Sequence, residues 1–270
     1  MKIGIAQMEC TVGNVSSNLK KMSVFINKAA QEGCLVVVFP EMADTGYDVS
    51  QIAAHASSWD RGPISRIRQL SIQSGIHVIC GLSELADGRL YNALAVVGPD
   101  GHIMAKYRKT HLAAFSPLHE DKIFTPGDSL ETVQIGGMTW GLMICYDLRF
   151  PEFSRSLALG GSEVLVLSSA WPFPRLRHWN TLITARAIEN QVYVAAANHV
   201  GNNSSVTFCG SSRIIDPFGV TIASASEERE ALILGDIEKN EVVRVRKTMP
   251  VFEQRREDLY CQAMLHKHCG

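Results

Sequence analysis

The chain has 270 residues, 46% of them hydrophobic and 20% charged, with a formal net charge of -1, a balance that suits a globular protein with a large buried core. Charge so close to neutral supplies neither a basic surface for nucleic acid nor an acidic tail for a basic partner, so no nucleic-acid partner is expected. Apolar runs such as CLVVVFP (34–40) and VLVLSSAWPF (164–173) fall far short of the roughly 20 residues that cross a bilayer, which excludes a transmembrane helix and leaves no membrane partner to expect.

In chain order, MKIGIAQMEC enters alternating apolar residues at once, without the charged start, long apolar segment and small-residue cleavage site of a secretory signal. Strand-like runs recur at 2–8, 34–39, 76–82, 91–98, 102–107, 131–135, 138–144, 163–168, 191–197, 212–216, 219–224 and 231–236. Apolar residues at helical spacing lie between several of them, as in Leu19, Met22, Phe25, Ile26 and Ala29, and later in Leu182, Ile183, Ala187 and Ile188. VVVFP and EVLVLSSA are apolar at successive positions, as central strands covered on both faces are, whereas 91–107 carries a Gly98-Pro99-Asp100-Gly101 turn between two strands. This is an α/β pattern. So many strands crowd one flat sheet, which favours two sheets packed face to face with helices outside, although periodicity alone fits one large mixed sheet equally well.

No internal repeat, low-complexity stretch or flexible linker breaks the pattern, so residues 1–270 are expected to form a single domain. From about residue 238 the chain turns charged (EKNEVVRVRKTMPVFEQRREDLY), and Pro250 interrupts any continuous helix. An extended C-terminal arm over the body or a neighbouring subunit is expected there, with a fraying end at HKHCG. His266, His268 and Cys269 offer ligands without a scaffold, so no metal is expected. The seven cysteines (Cys10, Cys34, Cys80, Cys145, Cys209, Cys261 and Cys269) show no C-x-x-C spacing, a usage that suits a reduced, cytoplasmic chain.

Three reactive residues stand just past strand-like runs: Glu41 in VVVFPEMADTGY, Lys109 in KYRKTHL and Cys145 in GLMICYDLRFPE. A cysteine at a strand end reaches the carboxyl edge of the sheet, where open α/β folds place their ligands. Pro151 and Glu152 suit the first turn of a following helix, whose positive end would favour thiolate and anionic intermediates. A desolvated carboxylate such as Glu41 can take a thiol proton and pass it to a leaving amine. Lys109 belongs to a basic cluster with Lys106, Arg108 and His111; facing a crevice, it would stabilise a tetrahedral oxyanion together with a backbone N–H such as that of Tyr146.

In this order, the FPEM, KYRKTHL and ICYDLRFPE blocks resemble the signature blocks of the nitrilase superfamily of carbon–nitrogen hydrolases. The similarity extends to TPGD (125–128), SSAWP (168–172) and RAIENQVYVAAANHVG (186–201). The resemblance implies a four-layer α-β-β-α sandwich with Glu41 as general base, Lys109 as the lysine that stabilises the intermediate and Cys145 as nucleophile, without cofactor. A second family glutamate matches Glu120 in LHEDKIFTPGD, with Asp121 fitting the spacing less well. Nitrile-hydrolysing members follow their cysteine with Trp-Glu, whereas Tyr146-Asp147-Leu148-Arg149-Phe150-Pro151-Glu152 is similar to the amidase branches, including ω-amidases acting on 2-oxo acid amides such as α-ketoglutaramate. A small-molecule amide is the partner this implies. For its carboxylate, Arg175, Arg177 and His178 are candidates, with Trp171 as a pocket wall and Tyr146 as a further substrate-binding residue. Other readings are a nitrilase, an N-carbamoyl amine hydrolase, or a non-catalytic member that binds a small amide or a protein. Resemblance also implies a homo-oligomer paired near the nucleophile helix.

Overall fold

The computed structural model describes residues 1–116, 118–203 and 206–260. Each expected strand run coincides with a strand to within a few residues. The strands form two six-stranded sheets. In the first, β1 (Lys2–Gln7), β2 (Val36–Val38) and β3 (His77–Ala86) run parallel. β12 (Ala231–Asp236) flanks β1 antiparallel, and β4 (Arg89–Val97) and β5 (Ile103–Arg108) continue antiparallel beyond β3. The second sheet repeats the plan: β7 (Met138–Ile144), β8 (Val164–Ser169) and β9 (Tyr193–Asn198) are parallel, with β6 (Thr132–Ile135), β10 (Arg213–Ile215) and β11 (Thr221–Ser224) antiparallel at the flanks.

Period-two alternation explains the layers. In β2, Val36 and Val38 enter the core between the sheets, while Val37 and, just past the strand, Phe39 pack under α1 (Val15–Gln31) and, beyond the short α2 (Val49–His55), under α3 (Pro63–Ser74). The α1 residues Met22, Ile26 and Ala29 and the α3 residues Ile64, Ile67 and Leu70 cover that outer face. On the far side, α4 (Pro151–Leu159) and α5 (Leu176–Asn190) contribute Phe153, Leu157, Trp179, Ile183 and Ala187 over the second sheet. Helices outside two facing sheets make the α-β-β-α sandwich that the family resemblance implied.

Two stretches differ from their sequence reading. β3 and β4 form a longer hairpin than expected, closed at Asp87-Gly88, both with positive φ (51° and 72°). Its polar end lies between the apolar runs 76–82 and 91–98, and Glu84 there pairs with Lys106 at 2.6 Å and Arg108 at 2.7 Å. The charged C-terminal segment begins as a helix, α6 (Lys239–Thr248), rather than an extended arm, because Val242 and Val245 share one face and are buried. Gln191 fastens its end, donating to Met249 O at 2.8 Å. His266, His268 and Cys269 lie outside the described residues. No helix among those described is long and apolar enough to cross a membrane.

The carboxyl ends of the parallel strands in both sheets meet at one edge. There Met8, just past β1, bridges to His199, just past β9, and Ser168 at the end of β8 donates to Phe39 O beyond β2 at 2.7 Å. Segments leaving strands of different sheets are thereby held side by side.

Candidate active site

Glu41 leaves β2 in a turn pressed against β3. A Cβ on Gly81 would lie 2.5 Å from Glu41 Cα, so only glycine permits this approach. Gly81 N donates to Pro40 O at 3.1 Å and Ala43 N to Gly81 O at 2.8 Å, while Met42 takes a φ of 49°. Both oxygens of the buried Glu41 carboxylate are engaged. Oε1 accepts from Lys109 Nζ at 2.8 Å and Asn92 Nδ2 at 2.6 Å, and Oε2 accepts from the Ala170 amide at 2.8 Å. Burial raises the Glu41 pKa above the ordinary carboxylate value against the pull of Lys109, and Glu120 adds to the rise. Such a carboxylate suits a general base working near neutrality.

Strand alternation sorts the basic cluster. Lys106 and Arg108 point to Glu84 at the sheet surface, whereas Tyr107 and Lys109 face inward and are buried. Lys109 Nζ donates to Glu41 Oε1 and Glu120 Oε1, each at 2.8 Å. Burial alone would lower the ammonium pKa, but Glu120 and Glu41 outweigh it and hold Lys109 well above its ordinary value. Lys109 therefore stays protonated. Glu120 opens a short 3-10 turn and accepts additionally from Tyr47 OH and the Ala113 amide, each at 2.7 Å; Asp121 beside it is exposed.

Cys145 follows β7 with a φ of 44° and begins the 3-10 turn Cys145–Arg149, after which α4 starts at Pro151. Left-handed backbone at a non-glycine residue is uncommon and clusters at functional turns. Pro151 and Glu152 do occupy the first turn of the helix. The expected bias toward thiolate is reversed, however: burial first and the Glu41 carboxylate second push the Cys145 thiol above its ordinary value, and Lys109 offsets only part of this. The resting group is a thiol that needs a base.

Cys145 and Lys109 open into a pocket walled by Tyr47, Phe115, Tyr146, Arg149, Trp171 and Arg175. Its cavity of about 20 Å³ holds a water or two. A larger cavity of about 370 Å³ lies beyond Tyr47 and Leu118, which line both, but it carries none of the three reactive groups. The Arg149 guanidinium stands 4.6 Å from the Trp171 ring centroid, and that of Arg175 stands 5.5 Å from the Phe115 centroid. Among the described residues neither guanidinium forms an ion pair.

The carbon-nitrogen hydrolase family profile matches residues 2–247. This chain belongs to the carbon-nitrogen hydrolase family. A 2-oxoglutaramate amidase from Bacillus subtilis (strain 168) is 36% identical over 259 residues, covering 96% of this chain and 98% of the relative. An omega-amidase from Homo sapiens is 33% identical over 269 residues, covering 96% and 97%. Among solved structures, a variant of the amidase from Nesterenkonia sp. AN1, with acrylamide joined by Michael addition at its active site cysteine, superposes with a TM-score of 0.85 at 25% identity over 97% of this chain and 99% of that one.

In this carbon-nitrogen hydrolase, the structure brings Glu41, Lys109 and Glu120 into one hydrogen-bonded cluster and sets Lys109 with Cys145 on the same pocket, whose wall includes Tyr146, Trp171 and Arg175. Arg177 and His178, offered as carboxylate ligands, are exposed on α5 away from that pocket, because the helix turns them outward while Trp179 points in. Four participants escaped the sequence reading: Asn92, Tyr47, the Ala170 amide and Arg149. Asn92 had a readable signal, a lone amide within the apolar run LYNALAVV. Arg149 lay inside the nucleophile block, yet only the 3-10 turn aims it at the pocket.

Proposed function

We propose that the protein is an amidase hydrolysing a small aliphatic amide, of the 2-oxo acid ω-amide type, to a carboxylate and ammonia through a thioester on Cys145. Glu41 takes the Sγ proton as sulfur attacks the amide carbonyl carbon. The C–N bond then breaks, and the nitrogen leaves as ammonia with that proton. Water, deprotonated by Glu41, attacks the thioester carbonyl; the C–S bond breaks and the proton returns to sulfur. Lys109, held as ammonium by two carboxylates, stabilises the oxyanion in both halves together with the Tyr146 amide. Glu120 keeps Lys109 charged and aimed.

The observation that carries this reading is the buried Glu41–Lys109–Glu120 cluster behind a thiol at a strand end. Arg149 and Arg175, which line the pocket without an ion pair among the described residues, favour a substrate whose far end is a carboxylate. The named activities of the Bacillus and human relatives support the same substrate class.

Ammonia release from 2-oxoglutaramate, butyramide, an N-carbamoyl amine and an aliphatic nitrile is the test. The 2-oxo acid amide should turn over fastest, Cys145→Ala should abolish turnover with an unchanged circular dichroism spectrum, and preference for the nitrile or carbamoyl compound would overturn the assignment. Arg149→Ala should raise KM for the carboxylate-bearing amide at least about tenfold while leaving butyramide unaffected. We further read the enzyme as cytoplasmic and homo-oligomeric. Its free described cysteines support the first, and exposed Ile188, Val220 and Val243 support a covered surface; sedimentation velocity tests the second.

A further inference from the structure

Asp147 is fully buried two positions after the nucleophile, and among the described residues its carboxylate accepts hydrogen bonds from two segments. From the lysine segment, Tyr107 OH donates to Oδ2 at 2.7 Å. Oδ1 meets Thr110 Oγ1 at 3.3 Å, the His111 amide at 3.2 Å and His111 Nδ1 at 2.8 Å. From the nucleophile segment, Ile144 N donates to Oδ2 at 2.9 Å. The lysine segment leaves β5 of the first sheet and the nucleophile segment leaves β7 of the second. The donors flank Lys109 on both sides and immediately precede Cys145. His111 is clamped in turn, stacked on Phe150 with centroids 3.8 Å apart and edge-on to Phe153 at 5.4 Å.

We propose that Asp147 is a positioning residue that holds Lys109 in register with Cys145 across the two sheets. A carboxylate offers acceptor sites on both oxygens, so it can collect donors from two segments at once. An asparagine of equal size would set its NH2 against a backbone N–H, that of His111 or that of Ile144 whichever way the amide turns, so at least one of these bonds is lost and the junction loosens. Displacing a stabilising group by about 1 Å costs catalysis up to about a hundredfold, and the lysine also lowers the pKa of the thiol it faces. This inference rests on Lys109 and Cys145 acting as proposed above.

The test compares Asp147→Asn and the milder Tyr107→Phe with the parent enzyme. It reads kcat and KM for amide hydrolysis per active site, and the pH dependence of Cys145 alkylation by iodoacetamide, followed on the Cys145 peptide by mass spectrometry. Alkylation needs no substrate, so its outcome stands apart from whether the amidase assignment holds. Asp147→Asn should lower kcat at least about tenfold with KM within about twofold, and the alkylation midpoint should move to higher pH. Loss of a nearby carboxylate charge alone would move that midpoint down, so the direction separates misplacement of Lys109 from simple electrostatics. Tyr107→Phe should show the same changes in smaller measure and decides the matter if Asp147→Asn does not fold. Unaltered kcat and an unmoved or lowered midpoint, with only stability lost, would overturn the proposal.

Discussion

Asp44→Asn is expected to stabilise the protein in a strongly pH-dependent way. The Asp44 carboxylate lies at the end of the Glu41 turn, fully buried, and accepts from Ser83 Oγ at 2.7 Å and from Ser83 N at 3.1 and 3.2 Å. Burial moves its pKa from 3.8 to about 6, the Ser83 bonds offsetting only part of the effect. Below pH 3.8 the group is protonated whether the chain is folded or unfolded, and its contribution to stability is fully present. Between that pH and about 6 the folded state keeps a proton that the unfolded chain has released, so stability declines as pH rises. Above the folded pKa both states are ionised and the contribution is gone. At about 1.4 kcal/mol per pH unit, the loss amounts to about 3 kcal/mol. Asparagine keeps the shape, can accept from Ser83 N and donate to Ser83 Oγ, and does not titrate. Urea unfolding followed by tryptophan fluorescence at roughly pH 4 and pH 8 gives the stability difference between variant and parent. That difference should grow in favour of asparagine by about 3 kcal/mol at the higher pH, on the order of 1 M in midpoint. An equal difference at both pH values would refute the reasoning, since every other titrating group is common to the pair.

Further outcomes concern the cluster itself. Gly81→Ala drives a methyl group into the Glu41 backbone and should cost about 1–3 kcal/mol of stability and most of the activity, seen together in thermal melts and ammonia assays. Glu120→Gln removes one of the two carboxylates on Lys109 and should cut kcat by about ten- to a thousandfold; unchanged kcat would deny Glu120 any part in catalysis. Because burial raises the Glu41 pKa, the acid limb of the kcat/KM profile should fall above the ordinary carboxylate range. A limb at the pKa of a free glutamate would mean that Glu41 is not the base.

Much of this architecture was legible locally. Strand runs were readable because apolar content and turn residues act over a few neighbours, and the β2 run VVVFP declared itself buried on both faces. α6 was misread because its charged residues outnumber the two buried valines on its inner face. Glu41, Lys109 and Cys145 were each visible as reactive residues at strand exits, and their ordered blocks pointed to the family.

The α/β class, the strand positions and Glu41, Lys109 and Cys145 as candidate acid, amine and thiol are legible in the amino-acid order, because these depend on periodicity and short motifs. Tertiary packing settles that Lys106 and Arg108 turn to Glu84 while Lys109 is buried, that Asn92 and Ala170 hold Glu41, that Asp147 takes donors from two segments, and that Arg149 faces the pocket while Arg177 and His178 do not. These outcomes depend on register and on the meeting of segments far apart in the chain. It also reversed the resting state of Cys145, since a thiol's ionisation follows the burial and charges around it, and those exist only once both sheets have packed.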